Sequence, residues 1–238
     1  MCDWEIRWTS ERSVWAQMPE SMSDARVPSQ LAAWMRTNAL HGILTVIPSS
    51  SGVLIEFDAQ LVNAEDMLLE AAELIEAFDC EKITAGADSN PRDIRIPVCY
   101  DPQVAPDIIE VANELNSHPE QVVELHSAVS YRVSTIGFAP GFGYLSTLDQ
   151  SLRIPRRETP RPRVPAGSVA IAEDMTAVYP FQSAGGWQLI GRTPMRLFDP
   201  LNENPSVLRV GDSVRFERIS FDEYIQHTSH EQWGVIDG

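Results

Sequence analysis

Lysine is almost missing from this chain: Lys82 stands alone against seventeen arginines. A phosphate-binding P-loop needs a lysine directly after its glycine-rich turn, and none is placed for it. Biotin attachment or Schiff-base chemistry would rest on Lys82, whose Glu81-Lys82-Ile83 setting is not a biotin-carrier motif. ATP, if the reaction uses it, is therefore expected on another chain, with no cofactor tightly bound here. Cysteine is scarce as well. Cys2, Cys80 and Cys99 are widely spaced and odd in number, giving neither a CxxC zinc site nor a disulfide framework. Cys99, in the strand-like run Ile96 to Tyr100, reads as a buried structural thiol.

No apolar run reaches the roughly 18 residues of a membrane span. The start, Met1 to Trp8, lacks the basic and apolar regions of a signal peptide, so a cytoplasmic location is expected. Positive charge is also short overall. A net charge of −16 argues against nucleic acid and anionic membrane surfaces as partners. The histidines His41, His118, His227 and His230 show no metal-ligand spacing, and no metal is expected.

What is present, 238 residues, suffices for one large domain or two small ones. Residues 1–88 alternate strand-like and helix-like stretches. Ile6 to Trp8 and Ser13 to Met18 can pair as a hairpin, and Pro28 opens a helical run with Leu31, Trp34 and Met35 on one side. His41 to Ile47 and Gly52 to Phe57 read as strands around Pro48-Ser49-Ser50-Ser51. The clearest helix is entered at Asn63 as N-cap, with Met67, Leu68, Ala71, Leu74, Ile75 and Phe78 at spacings of three and four. This pattern predicts two helices on one face of a small antiparallel sheet.

Ala85 to Pro91 reads as a linker. Residues 89–222 then form the second predicted domain. A strand from Ile94 to Tyr100 precedes two helices, one begun by Pro106 and one by a Ser117/Glu120 capping box. Short strands follow between Gly and Pro residues: Tyr131 to Phe138, Ser168 to Ala172, Trp187 to Gly191, Val207 to Arg209 and Val214 to Glu217. Many short strands at such spacing predict a closed barrel. Residues 223–238 read as a polar tail.

Chemistry concentrates in three runs. Gly137 to Leu145 combines glycines at 137, 141 and 143 with Phe142 and Tyr144, which fits a ligand-cradling loop or an ordinary barrel turn. Arg153, Arg156, Arg157, Arg161 and Arg163 fall within eleven residues, among prolines that restrict the backbone. Their guanidinium forks match carboxylates and phosphates, or the protein's own acidic groups. In Ala184 to Pro194, strand alternation puts Gln188, Ile190 and Arg192 on one face, and Trp187 with Leu189 on the other, towards a core. His126, near a helix end, suits either a structural bond to the last carbonyls or acid–base work.

Taken in order, His126-Ser127, Tyr131-Arg132-Val133, Gly137-Phe138-Ala139-Pro140-Gly141-Phe142, Tyr144-Leu145, Pro155-Arg156-Arg157, Pro160-Arg161, Val164 to Ile171, Tyr179-Pro180 and Gly185 to Pro194 resemble one family. It is the family of allophanate hydrolase subunit 1, the Kip inhibitor and the 5-oxoprolinase B-type subunit (carboxyltransferase domain, subdomains C and D). The resemblance covers residues 94–218 well, 40–58 loosely and the first 40 hardly at all. It implies an α+β fold: a ferredoxin-like N-terminal domain followed by a mainly-β cyclophilin-like barrel. It also implies a subunit, inactive alone, of an ATP-dependent 5-oxoprolinase that opens 5-oxo-L-proline to L-glutamate.

The implied partners are the biotin-dependent-carboxylase-like C-type subunit, the LamB/YcsF-like A-type subunit, and a small-molecule substrate. The implied substrate-binding residues are Gly141, Phe142, Tyr144, Arg157, Arg161, Ser168, Gln188, Arg192 and Thr193, with His126 as an acid–base candidate. Two other roles occur among similar proteins, inhibition of a sensor histidine kinase and a part in urea carboxylase/allophanate hydrolase systems. The chain departs from the pattern at Gly143, Ser146-Thr147, Glu173, Met175 and Ala184. These changes bear on substrate identity more than on fold.

Overall fold

The computed structural model describes residues 4–19, 26–38, 42–49, 51–78, 92–146 and 148–230. The linker read at Ala85 to Pro91 lies outside them, as do Cys2, His41, Cys80 and Lys82. The chain divides into two compact units, Met1–Asn90 and Pro91–Gly238.

In the first unit, β1 (Glu5–Ser10), β2 (Ser13–Gln17), β3 (Ile43–Pro48) and β4 (Gly52–Phe57) form an antiparallel sheet of order β1-β2-β4-β3. Two helices, α1 (Arg26–Asn38) and α2 (Ala64–Ala77), pack against it. Asn63 caps α2, its side chain accepting the Asp66 N–H at 2.9 Å. Alternate residues of the strands, such as Val14, Ala16, Val53 and Ile55, meet Leu31, Met35, Met67 and Leu74 in one core.

The second unit is built on a closed seven-stranded barrel. Its strands are β5 (Asp93–Cys99), β6 (Tyr131–Ile136), β7 (Gly143–Ser146), β9 (Ser168–Ala172), β10 (Met175–Val178), β12 (Gln188–Arg192) and β13 (Ser213–Ile219). Around the barrel the order is β10-β7-β6-β13-β5-β12-β9, closed by the β9–β10 hairpin. All neighbours are antiparallel except β13 and β5, which run parallel over seven residue pairs. A two-stranded sheet, β8 (Arg161–Val164) with β11 (Ser183–Gly185), is separate from the barrel.

Strand β9 is buried along its whole length. Val169 and Ile171 join the main core with α3 (Ile108–Glu114) and α4 (Pro119–Ser127), while Ala170 and Ala172 join a second cluster with Phe142, Tyr179 and Trp187. A strand covered on both faces reads as a continuous apolar run, which explains Ser168-Val169-Ala170-Ile171-Ala172.

Several boundaries differ from the sequence reading. The cap of α4 is His118 with Pro119 in the first turn, and Ser117 Oγ bonds Gln121 instead of closing a capping box. Val207 to Arg209 forms no strand; a single bridge joins Phe198 to Ser206. The start of the expected tail is a helix, α5 (Phe221–His230), whose Tyr224 is buried. The apolar side of Phe221, Tyr224 and Ile225 at spacings of three and four accounts for it. Cys99 is buried, and burial raises its thiol pKa. No described helix is long and apolar enough to cross a membrane.

Candidate functional site

The loop between β6 and β7 is two tight turns in series. The Ala139 N–H donates to the Gly137 carbonyl at 2.8 Å around Phe138, whose φ is +68°. That is a γ-turn of the rare positive-φ kind, strained for a side chain as large as phenylalanine. Next, the Phe142 N–H donates to the Ala139 carbonyl across Pro140-Gly141. Proline first and glycine second, with Gly141 at φ +78°, is the pattern of a type II turn. A Cβ on Gly141 would also lie 2.8 Å from the Phe198 Cβ.

This double turn aims aromatic rings at one place. Phe142 lies edge-on to Phe138, Tyr144, Tyr179 and Trp187 at centroid distances of 4.9–6.0 Å. Phe138 itself is 62% exposed. Burial pushes the Tyr179 phenol up. Trp187 and Leu189 belong to this aromatic cluster while Ile190 faces the main core, the alternation a strand requires. A bulge between Leu189 and Gly191 interrupts that alternation before Arg192.

Arg156 stands over the Trp187 ring at 5.8 Å, a cation–π contact. Beside it lies the most buried charge of the region, Asp107, 1% exposed at the start of α3. Asp107 Oδ1 accepts from Arg157 Nη1 at 3.3 Å and from Arg161 Nη2, and Oδ2 accepts the Leu189 N–H at 2.6 Å. The Asp107 N–H in turn donates to the Leu189 carbonyl. One aspartate thus ties two arginines to β12. The far sides of the arginines are unsatisfied: Arg157 Nε and Arg161 Nη1 are buried with no partner. Donors left in that state favour an added oxygen acceptor.

The other expected site residues divide between this region and a second one. Gln188 Nε2 donates to the Pro155 carbonyl at 3.2 Å. Ser168, Arg192 and Thr193 gather around the Gly167 turn, where Arg192 pairs with Ser168 in the sheet and the Thr193 N–H donates to the Gly167 carbonyl. Arg192 Nε donates to the Ala166 carbonyl at 3.0 Å, and Thr193 is fully buried with its hydroxyl accepting the Met195 N–H. The charge of Arg192 also reaches Tyr224 of α5, whose phenol is nevertheless raised by burial.

His126 stands apart in the core, wholly buried and stacked on Phe216 at 4.5 Å. The Thr176 hydroxyl donates to the Ala170 carbonyl, so it can only accept from His126 Nε2, 2.9 Å away. The network therefore assigns the hydrogen to Nε2 and leaves Nδ1 to accept from the Tyr100 hydroxyl at 2.9 Å. Burial lowers the His126 pKa to about 3. Both nitrogens are engaged and the ring is neutral, which suits the structural alternative of the two roles read for it.

Sequence reasoning missed Asp107, Tyr179 and the exposed turn residue Phe138 as parts of this region. Among the described residues no group of three or more His, Cys, Asp or Glu is placed to hold a metal.

Comparison with known proteins fits this architecture. The chain is 42% identical to the B subunit of 5-oxoprolinase from Bacillus subtilis over 73% of its length and 67% of that protein. It is 43% identical to the B subunit of 5-oxoprolinase from Escherichia coli O157:H7 over 79% of its length and 85% of that protein. The solved structure of TTHA0988 superposes with a TM-score of 0.73 at 34% identity, covering 88% of this chain; the chain spans about 40% of that one. The Kluyveromyces lactis urea amidolyase matches with a TM-score of 0.75 at 18% identity, covering 94% of this chain and 15% of that one, which shows the fold alone. The model of the carboxyltransferase domain, subdomain C and D, matches residues 4–208, well beyond the stretch where the motifs are dense. With six of the seven barrel strands, the double turn and the arginine-rich edge inside that match, the chain belongs to the carboxyltransferase domain, subdomain C and D, family.

Proposed function

We propose that this chain is the B-type subunit of an ATP-dependent 5-oxoprolinase, which opens 5-oxo-L-proline to L-glutamate in a complex with A- and C-type partners. The observation that carries this reading is the identity of 42% and 43% to two proteins named as the B subunit of 5-oxoprolinase. The A-type partner is LamB/YcsF-like and the C-type partner resembles biotin-dependent carboxylases. ATP is a substrate of the complex: it phosphorylates the lactam oxygen, water adds to the carbonyl carbon so activated, and cleavage of the C–N bond with loss of phosphate gives glutamate and ADP. The first unit is read as ferredoxin-like. Its β2-β4-β3 order with α1 and α2 supports this, β1 occupying the edge that a ferredoxin's last strand would take.

Within the chain, the aromatic cluster and the arginine pair supply the recognition. Phe142, Tyr144 and Trp187 give flat apolar walls for a five-membered ring. Arg157 Nε and Arg161 Nη1 offer donors to a carboxylate or phosphate oxygen, held in place by Asp107. Such fixed donors stabilise developing negative charge without reorganising. Gln188 and Gly141 brace these walls, while Ser168, Arg192 and Thr193 form a second candidate contact region at the Gly167 turn.

The test is reconstitution. The purified chain, mixed with its A- and C-type partners, ATP and 5-oxoproline, is expected to release glutamate and phosphate. No release above a mixture lacking this chain rejects the reading.

A further inference from the structure

The turn between β9 and β10 carries charge that no described residue answers. The Glu173 N–H donates to the Ile154 carbonyl at 2.7 Å, and the two residues form an isolated antiparallel bridge. Arg153, Ile154, Pro155, Glu173 and Asp174 line an open cavity of about 390 Å³ beside this bridge. Its walls are fixed: Ile154 is buried and the Gln188 amide holds the Pro155 carbonyl. The side chains of Arg153, Glu173 and Asp174 make no ion pair or hydrogen bond with any described residue.

Glu173 is also strained. It is the first central residue of a two-residue hairpin turn, with φ +56°. That position favours glycine, and a side chain there is kept at a cost. A strained glutamate, an aspartate and an arginine thus share one cavity without neutralising one another.

We propose that this cavity binds a small α-amino acid in its zwitterionic form. The ligand carboxylate meets the Arg153 fork, and its ammonium meets Glu173 and Asp174. Two carboxylates against one guanidinium disfavour an amino acid that carries a further acidic group. 5-Oxoproline, whose ring nitrogen is an uncharged amide, lacks the ammonium altogether. The site is therefore independent of the 5-oxoprolinase reading and stands or falls separately.

The test is an amide-shift titration of the full isotope-labelled chain with L-glutamine, N-acetyl-L-glutamine and L-glutaminamide. L-Glutamine is expected to give saturable shifts at residues 152–155 and 172–175. Each blocked analogue, lacking the ammonium or the carboxylate, is expected to bind about tenfold more weakly or worse. Arg153→Gln and Glu173→Gln should each weaken L-glutamine by a similar factor while leaving the denaturation midpoint in place. Glu173→Gly should raise that midpoint and abolish binding. Equal binding of the blocked analogues, unchanged affinity in both glutamine variants, shifts confined to other residues, or no saturation up to about 50 mM overturns the proposal.

Discussion

The Asp107 carboxylate holds two guanidinium groups and a main-chain N–H at once. Its removal leaves two positive charges close together with one counter-charge fewer, Glu110 being 3.7 Å from Arg157 but largely exposed. Breaking a buried pair in this way costs roughly 3 kcal/mol. Asp107→Ala is therefore expected to lower the urea midpoint markedly, and Asp107→Asn, which still accepts from Leu189, to lower it less. His126 gives a pH signature. Its folded pKa, about 3, lies below the ordinary 6.5, so the unfolded chain takes up the proton first as pH falls. The stability it contributes is complete above pH 6.5 and declines towards pH 3. Between pH 6.5 and 5, ahead of most carboxylate titration, the loss is about 2 kcal/mol. Denaturation curves at pH 7 and 5 should show it, and His126→Gln should flatten it even if that variant is less stable at both. His126 is visible in sequence but its buried network is not, and Asp107 is not marked out at all. Asp107 sits where aspartate is an ordinary helix cap, and its partners lie 50 to 82 residues away.

At the scale of elements, the double turn at 137–142 is tightly constrained backbone. Gly141→Ala would force a side chain to φ +78° and against Phe198, at a cost of about 1–2 kcal/mol. Pro140→Ala, which loses only pre-set φ, should cost less; thermal unfolding of both variants compares them. The Pro-Gly pair is a readable turn signal, as are Asn63 and the apolar spacing of α2. Strands β7, β8, β10 and β11 are three or four residues long, too short for alternation to register. The Ser117/Glu120 pattern misleads because Pro119 supplies a competing start one residue later. Likewise the arginine run gives the residue types of the candidate site but not their shared carboxylate.

At the scale of the whole molecule, glycine and proline between short apolar runs make a barrel legible. Its closure is not legible. Pairing of β5 with β13 joins the first and last barrel strands of the second unit, and nothing local to either strand specifies so distant a neighbour. That pairing has a consequence for synthesis. Strand β13 leaves the ribosome about 120 residues after β5, which at usual elongation rates is a delay on the order of 10 s. Throughout that interval β5, whose core face carries Ile96 and Val98, lacks its parallel neighbour. Chaperone occupancy of nascent chains should therefore persist until β13 has emerged and then drop.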